Sequence, residues 1–230
     1  MRDIKELSKV IGIDIEDTAL YETALTHRSY LNEKGRSHLQ HNERMEFLGD
    51  AVLELVVTEY LYRTYSEPEG VLTNWRSALV KTESLSSVAQ SLGIEEWLRL
   101  SRGERKGSQR ARRQILANTM EAIIGAIYLD QGYEPAQKFI SENIISTLPM
   151  ILEEGSWQDS KTKYQELIQE QEGETPEYEV LSESGPDHDK RFTVGVLVAG
   201  DIRGKGSGSS KQIAQQQAAD NALQNMESAG

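Results

Sequence analysis

The stretch on which the architecture turns is Asn42-Glu43-Arg44-Met45-Glu46-Phe47-Leu48-Gly49-Asp50-Ala51-Val52-Leu53. On a helical wheel at about 100° per residue, Phe47, Leu48, Ala51, Val52, Leu55 and Val56 make one apolar half. Glu43, Glu46, Asp50 and Glu54 fall within an arc of roughly 80° on the same wheel, stacked at i, i+3, i+7 and i+11. Taken alone, four such residues are the polar face of an amphipathic helix. A second stretch changes that balance. Ile115-Leu116-Ala117-Asn118-Thr119-Met120-Glu121-Ala122-Ile123-Ile124-Gly125-Ala126-Ile127-Tyr128-Leu129 is apolar on nearly every side, the pattern of a buried helix. A carboxylate inside it, Glu121, must be neutralised by protonation, by a cation or by a metal, because an unpaired buried charge is too costly to keep. Asn118 lies one turn before it on the same face. Two helices that each present oxygen donors in i, i+3 or i, i+4 pairs can surround a hard divalent cation, and oxygen-only ligation selects Mg²⁺ or Mn²⁺ over Zn²⁺. Asn118 followed by Glu121 also fits an N-cap with its capping-box partner, but Ile115, Leu116 and Ala117 already follow the helical pattern.

Outward from these two stretches, residues 1 to 154 keep helical spacing, punctuated at Glu67-Pro68-Glu69-Gly70, Leu92-Gly93, Gly103 to Ser108 and Gly132. From residue 155 to 160 the periodicity lapses into small and polar residues, which predicts a linker. Residues 161 to 171 read as a helix carrying Tyr164, Leu167 and Ile168 on one face. Three strands are predicted next, around Tyr178 and Val180, over the alternating Phe192, Val194, Val196 and Val198, and from Asp201 to Gly206. A final helix runs from Lys211 to Met226, with Ala214, Ala218, Ala222 and Leu223 on one face. The expected fold is therefore multidomain, α and α+β: an all-α domain over 1–154, then an α-β-β-β-α domain over 161–228.

The 230 residues include no cysteine and four histidines, which excludes a disulfide scaffold and thiolate zinc sites and disfavours a histidine metal cluster. No run approaches the ~18 to 20 apolar residues of a membrane span, and the charged N-terminus lacks a signal-peptide core. No membrane partner and a cytoplasmic location are the expectations. With 25 basic and 37 acidic side chains the net charge is −12, which weighs against a polyanionic partner. The first 157 residues carry 18 basic and 24 acidic side chains and the remainder 7 and 13, so each part is −6. Yet Arg99, Arg102, Arg105, Lys106, Arg110, Arg112 and Arg113 crowd together, opposed only by Glu104, in a stretch whose Gly103, Gly107 and Ser108 suggest a flexible loop. Such a run is either a solvated charge cluster or a local site for a nucleic-acid backbone.

Ala24-Leu25-Thr26-His27-Arg28-Ser29-Tyr30, the Asn42 to Leu53 block and Ile115 to Asp130 resemble the ribonuclease III domain in residues, order and spacing. Lys161 to Leu167, Gly185-Pro186-Asp187-His188 and Gly206 to Lys211 resemble the double-stranded-RNA-binding domain that accompanies it in bacterial enzymes. The Asn42 to Leu53 block is the most specific of these signals. The resemblance implies a double-stranded-RNA endoribonuclease that matures ribosomal and other structured RNA. It implies that Glu46, Asp50 and Glu121 bind Mg²⁺, with Mn²⁺ able to substitute, that Asn118 belongs to the same ligand set, and that Glu43 is a further acidic residue near the scissile phosphate. It also implies a homodimer in which Phe47 packs into the partner, Glu69 as an acidic residue facing the cleft, and cleavage of both strands to 5′-phosphate and 3′-hydroxyl ends with short 3′ overhangs. In the second domain Gln165, Glu166 and His188 match positions that face minor grooves, while Ser209, Ser210 and Lys211 would meet phosphates at a helix N-terminus. Arg105, Lys106 and Arg110 join them as RNA-contacting candidates. His27 reads as a packing histidine.

Many members of that family carry aspartate where this chain has Asn118, so a raised Mg²⁺ requirement is expected. Gln212 and Ile213 replace more basic residues, which predicts a weak RNA grip by residues 160 to 228. The competing reading is a dimeric RNA-binding protein whose active site was retired at Asn118.

Overall fold

Spacing of apolar residues and the polar caps between them set the element boundaries. The computed structural model describes residues 3–32, 39–155, 157, 160–186 and 190–229, and the chain divides into two compact units, Met1–Trp157 and Gln158–Gly230. The first is helical: α1 (Ile4–Ile11), α2 (Thr18–Ala24), α3 (Arg28–Leu31), α4 (Glu43–Thr64), α5 (Glu69–Val80), α6 (Thr82–Ser91), α7 (Gln109–Gln131), α8 (Tyr133–Asn143) and α9 (Leu148–Glu153). Helix starts carry side-chain acceptors for the otherwise unpaired first N–H groups: Asp3, Asp17, His27 and Ser108 accept from the second or third following residue of α1, α2, α3 and α7.

Helices α4 and α7 form the axis of this unit. From Ile115 to Ile127 every residue of α7 is buried except Asn118 and Glu121, which are half-buried. The two helices meet backbone to backbone through a pair of glycines. A Cβ on Gly49 would stand 1.7 Å from the carbonyl oxygen of Glu121, and one on Gly125 would stand 2.4 Å from that of Met45. No other residue type fits either position without parting the helices.

That contact corrects the predicted apolar half of α4. The buried stripe is Met45, Gly49, Val52, Leu53, Val56, Val57 and Leu61, whereas Phe47 is 80% exposed and Leu55 57%. The stripe is rotated because α7 seats on Gly49, not on the bulky apolar side chains that the wheel groups together. Two further ties hold the ends. Asn42 is buried at the start of α4, where its side-chain amide donates to the Ala24 carbonyl over 3.2 Å and its backbone N–H donates to Thr26 over 2.9 Å. At the far end of α7, Asp130 accepts from the N–H groups of Glu16 and Asp17 and from the Tyr21 hydroxyl.

The second unit consists of α10 (Ser160–Gln171), β1 (Glu177–Ser184), β2 (Arg191–Val198), β3 (Asp201–Gly208) and α11 (Lys211–Ala229). Its strands form one antiparallel sheet in the order β1-β2-β3. Val194, Val196 and Val198 are fully buried with Tyr164, Ile168, Ala214, Ala218 and Ala222, the alternation and the alanine face read from the sequence. Ala199 and Gly200, both at positive φ, make the tight turn between β2 and β3. The third strand runs two residues beyond its expected end. Gly204, Gly206 and Gly208 alternate toward α11, where any Cβ would meet helix atoms within 2.6 Å. Among the described residues no helix is long and apolar enough to cross a membrane.

Candidate active site

The glycine crossing brings the acidic stretch of α4 against the two half-buried polar residues of α7. Burial pushes the Glu121 carboxyl up to about 8, with the charges of Asp50 and Glu46 adding to it. Burial also raises Glu46, whose carboxylate is partly compensated by a hydrogen bond from Asn118 and opposed by the charges of Glu43 and Asp50. Glu46, Asp50, Asn118 and Glu121 therefore form one electrostatic cluster. Glu43 stands at its rim, paired with Arg28 over 3.2 Å and facing His41 at 3.8 Å. Glu54, on the same wheel arc, is diverted to Arg76 at 2.9 Å.

Asn118 is held from one helical turn earlier. Its Oδ1 accepts from Gln114 Nε2 over 2.7 Å, and the side chain lies near enough to Glu46 to offset part of that carboxyl's upward shift.

Among the described residues no three His, Cys, Asp or Glu side chains stand as a ready cage for a metal ion. The donor chemistry nonetheless fits a hard divalent cation. Every group in the cluster offers oxygen, and the interactions that raise Glu121 are burial and two carboxylates, a strain that a cation relieves.

The cationic stretch is less free and less loop-like than its sequence suggests. Arg110, Arg112 and Arg113 lie in the first turns of α7, Arg99 pairs with Glu22 at 3.3 Å, and Arg112 pairs with Glu95. Arg105, Lys106 and Arg110 are exposed, the first two on a single 3-10 turn, Glu104–Lys106. Glu69 is exposed at the start of α5 and lines a cleft of about 500 Å³ with Tyr62, Tyr65 and Arg76. His27 caps α3 through Nδ1, which accepts from the Ser29 N–H over 3.3 Å, and burial lowers its pKa.

In the second unit Gln165 and Glu166 are exposed on α10, and His188 lies outside the described residues. Ser210 caps α11, its hydroxyl accepting from the Ile213 N–H over 3.2 Å, and Ser209 is exposed beside it. Lys211 is not a bare cation: its Nζ stands 3.8 Å from Glu183, which also holds Lys190 at 3.1 Å.

Two residues escaped the reading of the sequence: Gly49 and Gly125. The signal for the glycines was present, since an isolated glycine inside a helix costs about 1 kcal/mol against alanine and is kept where packing demands it.

The Ribonuclease-III-like family model matches residues 17–148, and that of the double-stranded RNA binding motif matches 160–226. The chain belongs to the ribonuclease III family. Among ribonuclease III relatives, it is 44% identical over 226 residues to Ribonuclease 3 of Natranaerobius thermophilus, covering 98% of this chain and 97% of that protein. It is 43% identical to Ribonuclease 3 of Desulforamulus reducens, over 96% of this chain and 90% of that one. The nuclease domain of ribonuclease III from Campylobacter jejuni, in a structure described for flexibility in the region involved in dimer formation, matches 64% of this chain and 99% of its own length at 37% identity and a TM-score of 0.57. The α4–α7 crossing and its carboxylates lie within the matched ribonuclease III segment.

Proposed function

We propose that the protein is an Mg²⁺-dependent endoribonuclease that cuts both strands of double-stranded RNA. The observation that carries the reading is the α4–α7 crossing, where Glu46, Asp50 and Glu121 converge and the half-buried Glu121 carboxyl is pushed up to about 8 by burial and its acidic neighbours. Family membership supports the reaction class, and the matched RNA-binding motif supports the substrate.

Glu46, Asp50, Asn118 and Glu121 would hold the ion, with Mn²⁺ as a substitute. When bound, such an ion lowers the pKa of a water and offsets charge on the departing 3′ oxygen. Glu43, at the rim, orients groups around the scissile phosphate. Arg105, Lys106 and Arg110 grip the RNA backbone without reading bases. In the second unit Gln165, Glu166 and His188 face the minor grooves of the A-form duplex, and Ser209, Ser210 and Lys211 meet phosphates at the start of α11, where free N–H groups favour anions.

Phe47, 80% exposed on α4, is the anchor of a homodimer. Two protomers then place two sites on one duplex, which yields 5′-phosphate and 3′-hydroxyl ends with short 3′ overhangs. Precursors of ribosomal RNA and other structured transcripts in the cytoplasm are the substrates of this reading.

The test is cleavage of a long perfect RNA duplex over an Mg²⁺ titration, with Glu121→Ala alongside. Short duplexes with 5′-phosphates from the wild type, and binding without cutting by the variant, are the expected results. A wild-type protein that retains the duplex yet never cuts it in Mg²⁺ or Mn²⁺ would instead be a duplex-RNA-binding protein.

A further inference from the structure

In the second unit two lysines from separate elements converge on one carboxylate. Glu183, on β1, lies directly across the sheet from Phe192. Its Oε2 accepts from Lys190 Nζ over 3.1 Å, and its Oε1 stands 3.8 Å from Lys211 Nζ. Both ammonium groups also sit 5.8 Å from the centroid of the Phe192 ring, Lys190 from the residue before β2 and Lys211 from the first turn of α11.

The stability of the fold does not call for this arrangement. The three charged side chains are 38% to 59% exposed, and exposed ion pairs contribute little. Two cations gathered on one ring repel each other unless an anion stands with them. In the free protein that anion is Glu183. At 3.8 Å Lys211 makes an ion pair with it but no hydrogen bond, which leaves ammonium donors for other oxygens.

We propose that Lys190 and Lys211 together seat one phosphate of the RNA backbone, and that Glu183 holds this seat in the free protein and yields it to the duplex. The inference rests on the duplex-binding reading above, in which Lys211 meets a phosphate; it adds Lys190 as a second cation and Glu183 as the group that sets the affinity. A phosphodiester carries one negative charge and two free oxygens, as a carboxylate does, so the exchange leaves both ammonium groups neutralised to the same extent. Only the Glu183 side chain has to swing, because its backbone stays paired with β2. Displacing an internal anion opposes binding, which weakens the grip of this unit beyond the effect of its net charge of −6.

Binding is measured on the full-length protein by fluorescence anisotropy of a labelled RNA duplex, without divalent cations and over a salt series. Glu183→Gln is expected to tighten binding roughly two- to fivefold, the span of one exposed charge pair. Damage to the fold could only weaken binding, so tightening cannot come from it. Lys190→Gln is expected to weaken binding by a similar factor. It is also expected to flatten the dependence of log K on log salt by up to about 0.9, the loss of one neutralised phosphate. The double variant separates a phosphate contact from a mere tether: if Lys190 only draws Glu183 away from Lys211, it has nothing left to do once the carboxylate is gone. In the Glu183→Gln background, Lys190→Gln is expected to weaken binding at least as much as in the wild type.

Unchanged or weaker binding in Glu183→Gln, or a Lys190→Gln effect that vanishes in the Glu183→Gln background, would each overturn the proposal. Lys211→Gln separates the two levels. If the wild type does not retain the duplex, or Lys211→Gln binds it as the wild type does, the duplex-contact reading of this unit fails and takes the inference with it. If Lys211→Gln binds less tightly while Glu183→Gln binds no more tightly, the displaced carboxylate alone is wrong.

Discussion

The two units solve one packing problem with the same residue and to different ends. In the first, Gly49 and Gly125 let α4 and α7 touch backbone to backbone; in the second, Gly204, Gly206 and Gly208 let β3 lie directly beneath α11. On α11 the residues brought against the sheet are alanines, and the contact makes a core. At the α4–α7 crossing the residues brought together beside the contact are Glu46, Asp50, Asn118 and Glu121, and the contact makes a candidate site. Removing a Cβ thus shortens the distance between two elements, and what that distance serves depends on the flanking side chains.

The strongest way to break this comparison is Gly49→Ala. The new Cβ would fall 1.7 Å from the Glu121 carbonyl oxygen, so the helices must part. Destabilisation of roughly 3 kcal/mol, the upper end of overpacking costs, is expected with loss of duplex cleavage, measured by chemical denaturation and by the cleavage assay. Retained cleavage at wild-type rates would show that the carboxylates do not depend on the crossing. Next comes Gly206→Ala, where the new carbon would meet the Ala218 nitrogen at 2.2 Å. A cost of about 2 kcal/mol is expected there, with hydrogen exchange accelerated within residues 160–229 and the amides around Gly49 and Gly125 left protected.

A smaller effect separates the two units by how free their cations are. Arg105, Lys106 and Arg110 are exposed, whereas Lys211 faces Glu183. Changing the first three together to glutamine is expected to flatten the salt dependence of RNA binding by up to about 0.9 for each phosphate that is no longer neutralised, and Lys211→Gln to flatten it less. The smallest effect is on His27. Burial lowers its folded pKa below the ordinary 6.5, and its cap of α3 needs an unprotonated Nδ1. As pH falls below 6.5 the unfolded chain takes up the proton first, so stability present above that pH is lost in this window. His27→Asn keeps a capping oxygen and does not titrate; a shallower fall in melting temperature as pH drops below about 6.5 is the expected outcome.

Much of this was legible in the residues themselves. The buried helix around Glu121 follows from an apolar run too continuous to face water, and the acidic arc of Glu43, Glu46 and Asp50 from simple helical spacing. The alternating valines of β2 and the alanines of α11 marked the second core. The wheel misjudged Phe47 and Leu55, because it ranks side chains by hydrophobicity and cannot register that a glycine is the contact point. It also grouped Glu54 with the site, although Arg76, a whole helix away in sequence, takes that carboxylate at 2.9 Å.

By itself, then, the sequence determined which segments are helices and strands and that a carboxylate would sit within a buried helix rich in isoleucine. Those properties are local: they depend on spacing of three, four or two residues along one chain segment. Tertiary structure decided which carboxylates meet and which cations are already paired. Each of these depends on distances between elements far apart in the chain, and those distances are set where two backbones can touch because Gly49 and Gly125 have no side chains.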